Sequence, residues 1–133
     1  TNHRHTSEID QEFKKISKNI SYTFNPHLIP SFRGILSSIY IHKKKNISLN
    51  KIIKTLKNFY KKDRFIKIHE PNTQMGTGSV IKTNNLDISV CQTRIKNKIV
   101  IFSAIDNLVK GAAGQAVHNM NILFKFKELS GLK

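Results

Sequence analysis

An amphipathic helix near the middle of the chain, with short Ile-rich runs before and after it, points to a mixed helix and strand fold. Ser48 is a favourable N-cap residue for this helix. The apolar positions that follow recur at the spacing of one core-facing stripe: Leu49, Ile52, Ile53, Leu56 and Phe59. Runs rich in Ile and Phe predict strands on either side, over residues 33–42 and 65–69.

The rest of the chain continues this mixture. A first helix is predicted over residues 7–17, with Thr6 as its N-cap. Strands at 87–94 and 98–104 form an antiparallel hairpin around a turn at 96–98, and a last helix runs from Asp106 or Asn107 to about Phe124. This order predicts an α+β domain with a mostly antiparallel sheet covered by helices on one face. No Gly-x-Gly-x-x-Gly follows a strand, so no Rossmann domain is predicted.

Length and cysteine content narrow the class of protein. The 133 residues suit one hydrophobic core. Cys91 is the single cysteine, so an internal disulfide is excluded, and a reducing, cytoplasmic setting is expected. No apolar run approaches the roughly 20 residues of a membrane span. Because the chain starts at Thr1 rather than Met, we expect a processed chain or a piece of a longer one.

The net charge of +15 raises the possibility of a nucleic-acid partner. The basic residues are 19 Lys and only 4 Arg, spread along the chain beside 19 Ile and 13 Asn. Lys, Ile and Asn share AT-rich codons, so biased base composition also explains the charge. A basic nucleic-acid-binding module stays open as an alternative, although single-strand binders usually interleave Arg with aromatic residues.

Two clusters near the start of the chain carry candidate chemistry. His3 and His5 lie beside Glu8 just before the first helix, and histidine suits proton transfer near neutral pH. Two His could also be metal ligands or ordinary polar residues, but no third ligand has matching spacing and no metal site is predicted. Arg33 offers a planar fork for phosphate or carboxylate, or else pairs with Glu or caps a backbone carbonyl.

A third cluster lies at the start of the last helix. Asp106 and Asn107 are followed by a run of Gly and Ala that includes Gly111. Such a start can receive a polar group of a ligand, or it can allow tight packing against another element.

These segments resemble one enzyme family, the N-acetyl-gamma-glutamyl-phosphate reductases. The sequence HRHTSEI resembles the family's HRHTPEI, and NPHLIPSFRGIL is similar to TPHLxPxxRGIL. The segment AIDNLVKGAAGQAVHNMN matches the family's AIDNLVKGAAGQAVQNMN almost residue for residue. The motifs occur in the family's order, and the resemblance covers nearly the whole chain.

The resemblance implies an NADP-dependent oxidoreductase of arginine biosynthesis. Such enzymes reduce N-acetyl-L-glutamyl 5-phosphate to N-acetyl-L-glutamate 5-semialdehyde through a cysteine thioester. By the motif match, His3 would be the catalytic acid and base, with His5 and Glu8 supporting the site. Arg33 would help to hold the anionic substrate. The resemblance also places a pair of residues, Asn107 and Gly111, near the nicotinamide.

The resemblance further implies the C-terminal catalytic and dimerisation domain of glyceraldehyde-3-phosphate dehydrogenase-like enzymes, without the Rossmann domain. Residues 1–105 would be part of that domain. Residues 106–133 would be a closing helix and tail that packs against the missing NADP-binding domain.

The family's nucleophilic cysteine precedes the HRH motif, and Cys91 does not match it, so Cys91 is interpreted as a core residue. We therefore expect a fragment that is inactive alone and homo-oligomeric when complete, with no nucleic-acid or membrane partner. A relative of aspartate-semialdehyde dehydrogenase is the alternative within dehydrogenases.

Overall fold

The computed structural model describes residues 3–133, which divide into two compact units between Ser31 and Phe32. The N-terminal unit contains one helix, α1 (His5–Ile16). The predicted cap at Thr6 is wrong, because α1 begins at His5 and Thr6 lies within its first turn; Arg4 is at the N-cap position, without a side-chain cap bond. α1 contains no fully buried residue, so its apolar face is only partly covered.

The C-terminal unit is built on a four-stranded sheet with the order β1-β4-β3-β2. Its strands are β1 (Ile35–His42), β2 (Ile66–Ile68), β3 (Leu86–Gln92) and β4 (Lys98–Ile105). The β1–β4 and β3–β4 pairs are antiparallel, and β2–β3 is parallel. The predicted α+β class with a mostly antiparallel sheet is confirmed. The predicted strand bounds lie within two residues of those observed.

The core of this unit lies between α2 (Leu49–Phe59) and one face of the sheet. Ile53 packs with Val90 and Ile99, and partly buried neighbours extend the cluster: Leu49, Ile52, Leu56, Ile68 and Ile101. The predicted cap of α2 is confirmed, since Ser48 Oγ accepts a hydrogen bond from the backbone N–H of Lys51 at 3.2 Å. The apolar stripe therefore faces the core except at its last position, Phe59, which is exposed.

The last helix is less regular than the sequence predicted. A π-helical turn (Val109–Ala113) precedes α3 (Gly114–Leu123), so the α-helix proper starts well after Asn107. The backbone N–H of Gly111 donates to the carbonyl oxygen of Asp106, five residues back, at 3.0 Å. Across the part of the chain that the structure describes, no helix is long and apolar enough to cross a membrane.

Candidate functional site

The predicted acid–base cluster lies at the start of the N-terminal unit. The imidazole rings of His3 and His5 meet edge to face, with 4.7 Å between centroids, and the ring of Phe24 lies 5.5 Å from that of His3. His3 Nδ1 accepts a hydrogen bond from the backbone N–H of His5 at 3.3 Å. The His3 imidazole is therefore held between two aromatic rings with one nitrogen already engaged.

Glu8, predicted to support this cluster, lies in the first turn of α1 with its side chain exposed. Within residues 3–133 the structure shows no ion pair between Glu8 and either histidine. The geometry thus brings His3 and His5 together and leaves Glu8 one helical turn away.

Tyr22 is a residue of this unit that the sequence analysis missed. Its hydroxyl donates toward Asp10 Oδ1 at 2.8 Å, with the backbone oxygen of Thr6 at 3.1 Å. Its ring packs edge to face on Phe13 at 5.1 Å. Desolvation by burial and the hydrogen bond to the Asp10 carboxylate both raise the pKa of Tyr22, so its hydroxyl stays protonated and remains a donor. The one sequence signal that could have suggested Tyr22 is the placement of aromatic residues along the chain.

Arg33, in the C-terminal unit, is paired with Asp106. Its Nη2 lies 2.7 Å from Asp106 Oδ1 and 2.6 Å from Oδ2, and the carboxylate has no exposed surface. The Arg33 side chain is 14% exposed, and its Nε is buried without a hydrogen-bond partner among the described residues. Arg33 therefore forms an ion pair, with Asp106 rather than with the Glu named as the alternative. Its role toward a substrate stays a prediction.

The Asp106 carboxylate is bound by more than the guanidinium. Burial alone would raise the pKa of Asp106, but hydrogen bonds from Arg33 and from the backbone lower it to about 2. The backbone donors are the N–H groups of three residues: Lys82, Leu108 and Val109. The Asp106 carboxylate therefore connects three parts of the unit through hydrogen bonds: the segment before β1, the connection before β3 and the π-helical turn.

Asn107 and Gly111, the predicted nicotinamide neighbours, lie on the segment that follows Asp106. Asn107 Oδ1 accepts a hydrogen bond from the backbone N–H of Gly34 at 2.6 Å, which leaves its amide nitrogen as a further donor. Gly111 is exposed, as are Ala112 and Ala113. The π-helical turn thus presents a surface of small residues that a flat ring can approach closely.

Gly114 is required by close packing rather than by a ligand. A Cβ atom at Gly114 would lie 2.5 Å from Asn84 Oδ1 and 2.6 Å from Val109 Cγ1. Asn84 is fully buried, and both polar atoms of its side chain have no hydrogen-bond partner. The sequence analysis offered two interpretations of the Gly and Ala run, ligand binding or tight packing. At Gly114 the structure shows tight packing.

Cys91 lies on β3, half-buried, rather than in the innermost core. Its Sγ is 3.6 Å from Ser89 Oγ and 3.7 Å from the carbonyl oxygen of Thr73. In the described region, residues 3–133, no group of three or more His, Cys, Asp or Glu side chains could hold a metal ion.

Comparison with known proteins gives one family. A family model described as the semialdehyde dehydrogenase dimerisation domain matches residues 1–107. The chain is 46% identical over 131 residues to a protein of Thermoanaerobacter sp. (strain X514) and 44% identical to one of Clostridium botulinum (strain Eklund 17B / Type B). A protein of Caldicellulosiruptor saccharolyticus is 42% identical over 134 residues.

These three relatives are named N-acetyl-gamma-glutamyl-phosphate reductase. Each match covers 98% of this chain but 38% of the relative, so the chain spans well under half the length of the proteins it resembles. The matches do not favour either a nucleic-acid-binding module or an aspartate-semialdehyde dehydrogenase relative.

Proposed function

The chain belongs to the semialdehyde dehydrogenase dimerisation-domain family, and we propose that it forms the C-terminal part of an N-acetyl-gamma-glutamyl-phosphate reductase. The complete enzyme would act in arginine biosynthesis, in the cytoplasm, reducing N-acetyl-L-glutamyl 5-phosphate to the 5-semialdehyde with NADPH. The observation that carries this proposal is the match to the named reductases over 98% of the chain. The nucleophilic cysteine and the NADP-binding domain would come from outside these residues.

His3 would be the acid and base of this reaction. While Nδ1 accepts the His5 N–H, the neutral ring carries its proton on Nε2, which suits donation to a developing oxyanion. To act as the base, the ring would release the 3.3 Å hydrogen bond from His5, which frees a nitrogen lone pair to accept the proton. His5 would support the ring through its backbone and its edge contact, and Glu8 through its negative charge in the first turn of α1.

Arg33, Asn107 and Gly111 would serve the substrate and the cofactor. Arg33 is fixed by Asp106, and its remaining N–H donors would contact the anionic substrate. The free amide nitrogen of Asn107 and the exposed surface at Gly111 fit a nicotinamide carboxamide and ring. When bound, NADPH would supply the hydride, and these residues would orient its ring.

The division into residues 1–105 and 106–133 is also part of the proposal. Four large apolar side chains near the end of the chain are more than half exposed: Ile122, Leu123, Phe124 and Phe126. An apolar surface of this kind is typical of a face that another domain covers. We assign that domain to the missing NADP-binding part.

Oligomer formation is supported by β1, which lies at one end of the sheet order. Apolar side chains on both of its faces are exposed: Ile35, Leu36, Ile39, Tyr40 and Ile41. An uncovered apolar edge strand favours association. We therefore propose that the complete enzyme is a homo-oligomer that uses this domain, as the family's description as a dimerisation domain suggests.

The proposal is tested by joining this chain to the N-terminal part of the Thermoanaerobacter relative and following NADPH oxidation with N-acetyl-glutamyl phosphate. We expect activity from the joined protein and none from the chain alone. His3→Ala should lower kcat by about 100- to 10,000-fold, the usual contribution of a general acid–base group. Lys18→Ala, which removes an exposed side chain of the same unit as His3, is the control and should leave kcat unchanged. Full activity of the His3 variant would refute the assigned role.

A further inference from the structure

Tyr22 fixes the segment after α1 onto that helix. Its hydroxyl reaches Asp10 Oδ1 at 2.8 Å, and its ring rests edge-on against Phe13 at 5.1 Å. Residue 10 is near the middle of α1 and residue 13 one turn further on, so the two contacts hold Tyr22 by both its polar end and its ring.

Phe24 follows Tyr22 by two residues and is half-buried. Its ring lies 5.5 Å from the imidazole of His3 at an interplanar angle of 74°. His3 itself precedes α1, and its only other ring neighbour among the described residues is His5. The Phe24 ring therefore limits the orientations of the His3 ring. The position of Phe24 is in turn limited by Tyr22, two residues earlier, which is bound to α1.

We propose that Tyr22 is a positioning residue for His3, acting through Phe24. The inference rests on the proposed function, since it matters only if His3 performs proton transfer. A reacting group displaced by about 1 Å can lose about 100-fold in rate, so a half-exposed histidine needs neighbours that limit its orientations. The Tyr22–Asp10 hydrogen bond supplies that restraint from within the same unit.

Tyr22→Phe in the joined protein is the direct test, because it removes only the hydroxyl and keeps the ring on Phe13. We expect kcat to fall about 10- to 100-fold with KM unchanged. In the NMR spectrum, nuclear Overhauser contacts between the His3 and Phe24 rings should weaken. Tyr60→Phe is the matched control: Tyr60 lies in the other unit with its ring against Phe59, and both readouts should stay as in the parent protein.

Two variants of Asp10 separate positioning from general folding. Asp10→Asn keeps an oxygen that can accept the Tyr22 hydrogen bond, so the ring contacts and most of kcat should persist. Asp10→Ala removes the acceptor and should reproduce the loss seen in Tyr22→Phe. If Tyr22→Phe disturbs the amide signals of α1, the comparison of kcat and ring contacts between Asp10→Asn and Asp10→Ala decides the question.

The outcomes distinguish this inference from the proposed function. If His3→Ala retains full activity, the acid–base role itself fails. If His3→Ala is inactive while Tyr22→Phe and Asp10→Ala keep both kcat and the His3–Phe24 contacts, only the positioning role of Tyr22 is overturned.

Discussion

The two compact units hold their candidate site residues in opposite ways. Asp106 has no exposed surface and is bound by the Arg33 guanidinium and three backbone N–H groups. His3 is half-exposed and is held by two ring contacts and one long hydrogen bond from its neighbour. Asp106 is therefore fixed by contacts from several parts of its unit, whereas His3 is fixed by a few contacts with nearby residues.

The buried carboxylate of Asp106 and the half-exposed imidazole of His3 suit different tasks. A buried, fully paired carboxylate gives rigid geometry, which suits the segment proposed to orient a cofactor. A half-exposed imidazole keeps its nitrogen accessible and able to titrate, which suits proton transfer.

Breaking the buried pair should have the largest effect on stability. Arg33→Met leaves the Asp106 carboxylate buried without its partner, which costs about 3–5 kcal/mol. Lys15→Met, in the exposed Lys15–Glu12 pair of α1, should cost less than about 1 kcal/mol. Urea unfolding followed by amide signals of β4 and of α1 measures both. Equal small losses of unfolding free energy in the two variants would mean that the Arg33–Asp106 pair is no more stabilising than the exposed pair on α1.

Acidification should weaken the Arg33–Asp106 pair by a smaller amount, because Arg33 stays in place. The folded-state pKa of Asp106, about 2, lies below its ordinary value of 3.8, so the folded state binds fewer protons between these values. The ionised carboxylate therefore stabilises the fold above about pH 4, and this contribution is lost as the pH falls toward 2.

Urea midpoints measured across this pH range should fall in the parent protein by more than in Asp106→Asn. A parallel fall in both proteins would assign the acid sensitivity to other carboxylates. The comparison isolates the titration of one group because Asn keeps the shape of the side chain.

Gly114→Ala tests how closely the π-helical turn and α3 approach Asn84. The added Cβ would lie 2.5 Å from Asn84 Oδ1 and 2.8 Å from the carbonyl oxygen of Val109, so the backbone must shift. We expect a loss of about 1–3 kcal/mol. Gly76→Ala is the control, since no atom lies within 4 Å of its Cβ position and its stability should hardly change. Tolerance of alanine at both sites would show that α3 is not tightly packed there.

Much of the fold was predictable because its signals are local. The stripe on α2 and its Ser48 cap follow from side-chain spacing over a dozen residues, and the β3–β4 hairpin follows from a short turn. The π-helical turn was missed because its hydrogen bonds, such as that from Gly111 to Asp106 five residues back, leave no signal in the spacing of apolar residues. The cap of α1 was missed because Thr6 competes with other polar residues in the same stretch.

For the candidate site, residue types were easier to predict than partners. The rarity of Arg in a Lys-rich chain drew attention to Arg33, and motif resemblance drew attention to His3, Asn107 and Gly111. The pairing of Arg33 with Asp106 spans 73 positions, and no sequence spacing indicates it. The Tyr22–Asp10 contact is similarly a product of the chain folding back on α1.

The sequence by itself determined the order of helices and strands, the apolar face of α2 and the family, because these depend on neighbouring residues and on motifs that can be read directly. The tertiary structure decided which charges are buried together and which rings surround His3. Burial changes the cost of a charge and the freedom of a side chain, and burial depends on contacts between residues far apart in the chain.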